Sequence, residues 1–120
     1  MNSDELRLRT KRYAAGVIRF VDSLPKGMSF EAMGKQLLRS ATSTAANYRA
    51  ACRSRSKADF VNKLGIVEEE ADETVFWLEM LLEARMLPEA DVTPLMKEGQ
   101  EILAIFSASH RTARINKNRR

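Results

Sequence analysis

Residues 37–83 read LLRSATSTAANYRAACRSRSKADFVNKLGIVEEEADETVFWLEMLLE, and this stretch decides the fold. A short polar break, Ser54-Arg55-Ser56, divides it into two halves. Apolar and small residues recur every three or four positions in each half, which is the period of an amphipathic helix. The first half is basic, and the second is acidic and ends in an aromatic, leucine-rich run. The stretch therefore predicts two helices that fold back on each other.

Two more helical patterns flank this pair. An apolar stripe from Leu6 to Leu24 stops at Pro25, and Thr93-Pro94 offers a cap followed by proline at a first helical position. No segment alternates as a strand would. The sequence predicts an all-α, up-down-up-down antiparallel four-helix bundle over residues 1–114, followed by a basic, disordered tail over residues 115–120. The predicted helices cover residues 4–24, 30–53, 57–86 and 94–113.

The length and composition fit one domain without disulfides. The chain has 120 residues, of which 44% are hydrophobic and 30% charged, as in ordinary globular proteins. Cys52 is the single cysteine, so no internal disulfide can form, which fits a reducing cytoplasm. The charged start of the chain does not resemble a signal peptide, and no apolar run suggests a membrane span. We expect a cytoplasmic protein that does not bind membranes.

Charge is distributed unevenly along the chain. The net charge is +3 for residues 1–27, +5 for residues 28–57, −7 for residues 58–90 and +3 for residues 91–120, which gives +4 in total. One acidic segment thus lies among three basic ones. We expect much of this charge to be neutralised inside the bundle or across a subunit contact, with a basic surface for nucleic acid as the competing use.

Residue types that carry catalysis are scarce. The carboxylates of residues 68–73 lie on one predicted helix, whereas di-iron bundles draw carboxylates and Glu-x-x-His motifs from several helices. His110 is the only histidine, and no glutamate precedes it by three residues. Neither Cys52 nor any serine lies in a nucleophile motif, and no Gly-rich phosphate loop is present. The sequence predicts no metal, no cofactor and no enzymatic activity.

Polar residues on the two central helices suggest a buried network. Asn47 lies among small residues, Arg49 follows it on the same helix, and Glu70 and Glu73 lie on the next helix. We expect these four side chains to pair and to fix the register of the helices or a subunit contact. The alternative is that they are independent surface charges.

Two clusters of cations are candidates for nucleic-acid binding, one near the predicted turn and one near the C-terminus. No helix-turn-helix, zinc or RNP motif accompanies them. Any binding would therefore be to phosphate, sensitive to salt and weakly specific. The candidate residues are Arg49, Arg53, Arg55, Lys57, Arg111 and Arg114.

The run from Val75 to Leu82 is apolar on too many sides for one core stripe. Part of it should therefore face something beyond the bundle core. Phe76 and Trp77 are the aromatic residues best suited to anchor a subunit interface. The alternative is that this helix is simply the most buried of the four.

The spacing of residues 40–79 resembles a known bacterial family. The resemblance is carried by Ser40-x-x-Ser43-x-x-x-Asn47-Tyr48-x-x-Ala51, Ser56-x-x-Asp59-Phe60-x-x-Lys63-Leu64 and Glu69-Glu70-Ala71-Asp72-Glu73-Thr74-x-x-Trp77-Leu78-Glu79. It is to four-helix-bundle proteins that are often encoded in intervening sequences of 23S ribosomal RNA genes. The resemblance implies a homo-oligomeric ring, typically a homopentamer. It also implies a distant likeness to the accessory variability protein of diversity-generating retroelements, a basic pentameric barrel that binds nucleic acid and a reverse transcriptase.

No catalytic residues are established for that family, so none is transferred to this chain. The expected function is a non-enzymatic bundle that forms a homo-oligomeric ring, with a basic surface that contacts RNA or DNA. The alternative is a structural or adaptor bundle that binds another protein and has no role with nucleic acid.

Overall fold

The computed structural model describes residues 1–119 and contains four helices joined by short turns. They are α1 (Ser3–Asp22), α2 (Met28–Ala51), α3 (Lys57–Glu83) and α4 (Glu89–Lys117). Each helix packs on the next, α1 also approaches α4, and α1 and α3 lie on a diagonal. The result is an elongated bundle of 53 × 24 × 21 Å. The predicted four-helix bundle is confirmed.

Local sequence signals set the starts of α1 and α3. The Asn2 side chain accepts a hydrogen bond from the backbone N–H of Glu5 at 2.8 Å. The Ser56 hydroxyl accepts one from the N–H of Asp59 at 3.0 Å and so caps the start of α3. Between α1 and α2 the chain turns at Gly27, whose φ of 148° suits glycine and few other residues.

The core is built from one face of every helix, and α3 packs extensively against both α2 and α4. Its largest fully buried side chains are Phe106, Leu37, Leu64, Leu78, Leu81 and Ile102. Two buried hydroxyls join the central pair, since Thr74 donates to Ser40 at 2.9 Å. No buried side-chain polar atom among the described residues lacks a hydrogen-bond partner. Small residues on α2 thus allow close packing without leaving orphaned polar groups.

The fourth helix begins at Glu89, about one turn before the predicted start at residue 94, and therefore contains Pro94 in its second turn. Proline cannot donate to the carbonyl of Ala90, which costs one helical hydrogen bond. The added turn buries Val92 completely, in line with Met96. Burying a side chain of this size stabilises by roughly 1.5–3 kcal/mol, which offsets much of the lost bond.

The other helix ends also differ from the sequence prediction. Helix α4 continues to Lys117, so residues 115–117 are helical where a disordered tail was predicted; Arg120 lies outside the described residues. Helix α3 ends at Glu83, three residues early, where Arg85 adopts a φ of 54°. Helices α1 and α2 each end two residues before their predicted limits.

Candidate nucleic-acid and subunit interfaces

Basic residues collect at one end of the bundle, where the α2–α3 turn, the start of α1 and the end of α4 meet. Ser3 lines the same shallow groove as turn residues 54–57. The contact between Glu68 and His110 aligns the last turns of α4 with the first half of α3. We call this surface the basic end, and it consists of the exposed residues Arg53, Arg55, Lys57, Arg111, Arg114, Lys117 and Arg119.

The charges of the basic end face solvent. None of its seven cations forms an ion pair within residues 1–119. Two acidic side chains on the neighbouring helix starts have cationic partners of their own, since Asp4 pairs with Arg7 and Asp59 with Lys63. Cations at the C-terminal ends of α2 and α4 also interact favourably with the negative end of the helix dipole, which is their simplest structural role.

Arg49 lies apart from the other candidates for nucleic-acid binding. It is exposed on α2 and lines a groove between α1 and α2, together with Arg7 and Lys11. The structure therefore brings together five of the six residues selected from sequence and directs Arg49 toward a different surface. Lys117 and Arg119, which sequence reasoning assigned to the tail, join the basic end.

The predicted network of Asn47, Arg49, Glu70 and Glu73 does not form. Arg39 instead binds Glu70 at 2.9 Å and also Glu73. The pairing with Arg39 lowers the pKa of Glu73.

The register of α2 and α3 explains this difference. Ser40 faces Thr74, and in an antiparallel pair the seven-residue step to Asn47 moves the facing position back to Val67. Asn47 therefore lies about two turns from Glu73 and donates to the Ser43 carbonyl and hydroxyl, both at 2.9 Å.

The two aromatic residues proposed as interface anchors have different surroundings. Phe76 is 48% exposed on the outer face of α3. Trp77 is half-buried against the core, and its indole N–H donates to Glu73 at 3.3 Å. The rings meet edge to face, with centroids 5.0 Å apart. Phe76 is thus the residue of the pair that is free to contact another molecule.

An exposed apolar face on α1 was not predicted from the sequence. Leu8 and Ile18 fall outside the stripe from Leu6 to Leu24 that packs into the core, and they are 46% and 41% exposed. Both line the groove between α1 and α2, which has a volume of about 670 Å³ and a floor of small residues such as Ala45 and Ala46. Two large apolar residues outside the core stripe were the available signal.

A polar seam joins α1 to α4 and was also not predicted. Arg9 binds both carboxylate oxygens of Glu98, at 2.8 and 2.6 Å, and reaches Glu101 at 3.1 Å. The Tyr13 hydroxyl donates to the Leu95 carbonyl at 2.8 Å. The hydrogen bonds from Arg9 lower the pKa of Glu98, and burial raises that of Tyr13.

His110 is bound within the bundle. Its Nδ1 lies 2.7 Å from a carboxylate oxygen of Glu68, and Gly65 leaves room for the imidazole ring. Hydrogen bonds from Ser107 and His110 lower the pKa of Glu68. Within the described part of the chain, no three His, Cys, Asp or Glu side chains are grouped so that they could hold a metal ion.

Among residues 1–119, no helix combines the length and the apolar character that a bilayer span requires.

Comparisons with known proteins place the chain in a family. The family described as 23S rRNA-intervening sequence protein matches residues 6–108. A crystal structure of a protein of unknown function from the S23 ribosomal protein family of Bacteroides thetaiotaomicron superimposes with a TM-score of 0.84. The two chains are 30% identical, and the match covers 92% of this chain and 99% of the other. No curated protein matches the chain.

Proposed function

Because the chain belongs to the 23S rRNA-intervening sequence protein family, we propose that it acts as a non-catalytic, homo-oligomeric ring whose basic ends bind RNA or DNA. A pentamer is the expected form. The observation that carries the proposal is the basic end, with seven exposed cations that form no ion pair within residues 1–119. Five of the seven are arginines, whose planar guanidinium matches phosphate geometry.

The side chains at this end suit phosphate better than bases. No exposed aromatic residue lies among the seven cations of the basic end. Stacking on aromatic rings is the usual way to hold unpaired bases, so binding here rests on charge. We therefore expect weak sequence preference and a steep dependence on salt.

Assembly would multiply this weak binding. If the copies of a ring point in the same direction, their basic ends share one face. Linked sites of this kind raise avidity by roughly 10²–10⁴ when the ligand spans several of them. A long RNA should accordingly bind far more tightly than one too short to reach a second copy.

The acidic outer face of α3 would oppose nucleic acid if it stayed exposed. Glu69, Asp72 and Glu79 are exposed there and form no ion pair within residues 1–119. A subunit contact that covers this face would remove the repulsion. The proposal therefore needs both parts, the ring and the basic end.

The test is RNA binding by fluorescence anisotropy at 50 and 200 mM salt. Arg53→Gln/Arg55→Gln/Lys57→Gln should weaken binding and flatten the salt dependence, by up to about 0.9 in log–log slope for each lost phosphate contact on a duplex. The matched control is Lys26→Gln/Lys35→Gln/Lys97→Gln, which removes the same charge from exposed positions toward the opposite end.

If both triple variants lose affinity equally, the effect is one of net charge, and the basic end is not the site. If the wild-type protein binds no RNA or DNA at 50 mM salt, the nucleic-acid part of the proposal is wrong.

The exposed Phe76 supports a second candidate function, a structural or adaptor bundle that binds another protein. Docking through an apolar anchor should weaken little between 50 and 200 mM salt, whereas phosphate binding should weaken steeply. A protein partner whose binding depends on Phe76 and not on the basic end would favour this alternative.

A further inference from the structure

Four of the exposed large hydrophobic side chains lie on two helices that do not touch. Leu8 and Ile18 are 46% and 41% exposed on α1, and Ile66 and Phe76 are 44% and 48% exposed on α3. The helices lie on a diagonal of the bundle, and the α1 pair lines the groove toward α2, so the two faces lie on different sides of the molecule. A folded monomer leaves these four apolar side chains almost half exposed, and a second copy that covered them would remove this apolar surface from water.

The two faces have the same spacing. Each pair of apolar residues is ten positions apart, which is about 15 Å along a helix. Between the apolar residues, at three- and four-residue steps, lie Lys11 and Ala15 on α1 and Glu69 and Glu73 on α3, and Glu73 also binds Arg39 of its own chain. One face can therefore lie along the other with both apolar pairs in contact.

The charges on the two faces are complementary. Exposed cations flank the apolar pair on α1, and exposed carboxylates flank the pair on α3. None of the six forms an ion pair with any described residue of its own chain. They are Lys11, Arg12 and Arg19 on α1 and Glu69, Asp72 and Glu79 on α3.

A cyclic ring whose axis follows the bundle places these faces together in the required direction. Helices α1 and α3 run the same way in an up-down-up-down bundle, and rotation about such an axis preserves direction. Packing of α1 on the neighbour's α3 would then be parallel. In that alignment Leu8 meets Ile66, Lys11 meets Glu69, and Ile18 meets Phe76.

The heights of the residues agree with this register. Gly34 of α2 contacts Val21, and Ser40 bonds Thr74, which places both Leu8 and Val67 opposite Asn47. The contacts of α4 lead to nearly the same relative height of α1 and α3, because Gly99 packs against both Tyr13 and Val75. By either path Leu8 lies within about one turn, or ~5.4 Å, of the height of Ile66.

From these observations we propose that the outer face of α1 in each copy packs, in parallel, against the outer face of α3 in the next copy. The inference rests on the proposed ring and identifies its contact. The contact is heterologous, so it propagates from copy to copy, and it forms a ring where the rotation between copies closes. It covers the acidic face of α3 and sets all basic ends on one side of the assembly.

The test uses two variants that each spoil one face, Leu8→Glu and Phe76→Glu. Light scattering should show each as a monomer of 13.6 kDa, in place of the wild-type ring. Mixing the two should give a 1:1 dimer and nothing larger, because one intact α1 face meets one intact α3 face. Ile115→Glu, equally exposed on α4, is the control and should leave the ring unchanged. Circular dichroism verifies that each variant is folded.

A charge exchange gives an independent readout. Lys11→Glu and Glu69→Lys should each weaken assembly, and the double variant should restore it, since the opposed pair is reversed. Each outcome has a distinct meaning. A monomeric wild type would overturn the ring and the contact together. A wild-type ring that survives Leu8→Glu and Phe76→Glu would overturn the contact alone, and separate variants that remain self-paired as dimers would contradict its heterologous form.

Discussion

Gly99 lets α4 pass close to α1, and its replacement tests the packing of this seam. A Cβ atom at position 99 would lie 2.6 Å from the Tyr13 hydroxyl oxygen and 3.4 Å from both Tyr13 Cζ and Val75 Cγ2. Only the hydroxyl is too close, since the other distances are tight but tolerable. Tyr13 is buried and its hydroxyl is bonded to the Leu95 carbonyl, so it cannot move without losing that bond.

The expected magnitude follows from three effects. Overpacking a well-packed site costs about 1–3 kcal/mol. Loss of the Tyr13 hydrogen bond adds about 0.5–1.5 kcal/mol. Replacing a glycine inside a helix by alanine returns about 0.8–1.0 kcal/mol. Gly99→Ala should therefore lower the free energy of unfolding by roughly 1–3 kcal/mol in the wild-type background.

The sign should reverse when the tyrosine hydroxyl is absent. In a Tyr13→Phe background the clashing oxygen is gone, so Gly99→Ala should be neutral or stabilising by up to about 1 kcal/mol. Urea denaturation of the two single variants, the double variant and the wild type completes the cycle. Equal effects of Gly99→Ala in both backgrounds would refute the packing argument, because the clash would then not be with the hydroxyl.

Two further predictions concern polar contacts between helices. Arg9 lowers the pKa of Glu98, so the pair stabilises the fold above the unfolded pKa of about 4.3 and loses this contribution as pH falls through the lower folded value. Arg9→Met should therefore lower stability at pH 7 and reduce the loss of stability below about pH 4.3 in thermal melts. An unchanged dependence of stability on acid pH would contradict this. Thr74→Val removes the hydroxyl that donates to Ser40, whereas Ser40 keeps its own hydrogen bond to the Leu37 carbonyl. The variant should lower the free energy of unfolding by about 0.5–1.5 kcal/mol in urea denaturation. An unchanged free energy of unfolding would contradict the buried pairing.

The number of helices and their antiparallel order could be predicted because they follow from apolar periodicity and turn residues. The polar break at residues 54–56 and the cap at Ser56 mark the central turn without ambiguity. The start of α4 could not be predicted from the adjacent residues alone. Thr93-Pro94 is a strong start signal, yet burial of Val92 extends the helix by a further turn. Tertiary packing outweighed the local preference at that position.

The candidate surfaces were only partly predictable. The cations of the basic end are visible in the sequence, and the position of Phe76 in an apolar run indicated an outward-facing aromatic residue. The partner of Glu70 and Glu73 was not predictable, because it depends on register. Arg39 and Arg49 are ten positions apart on α2, and only the register of α2 against α3 shows which of them meets the two carboxylates.

The close approach at Gly99 also depends on tertiary packing and could not be predicted from the sequence. A glycine inside a helix is compatible with many environments, and only the position of Tyr13 shows why a larger residue would not fit.

The most direct test of the proposed function is the solution mass of the wild-type protein by light scattering, at low and moderate salt, with and without a short RNA. The proposal predicts a ring near five copies of the 13.6 kDa chain, about 68 kDa, at both salt concentrations, with mass added by RNA only at low salt. A monomer of 13.6 kDa that is indifferent to RNA would contradict both the ring and the role of the basic end.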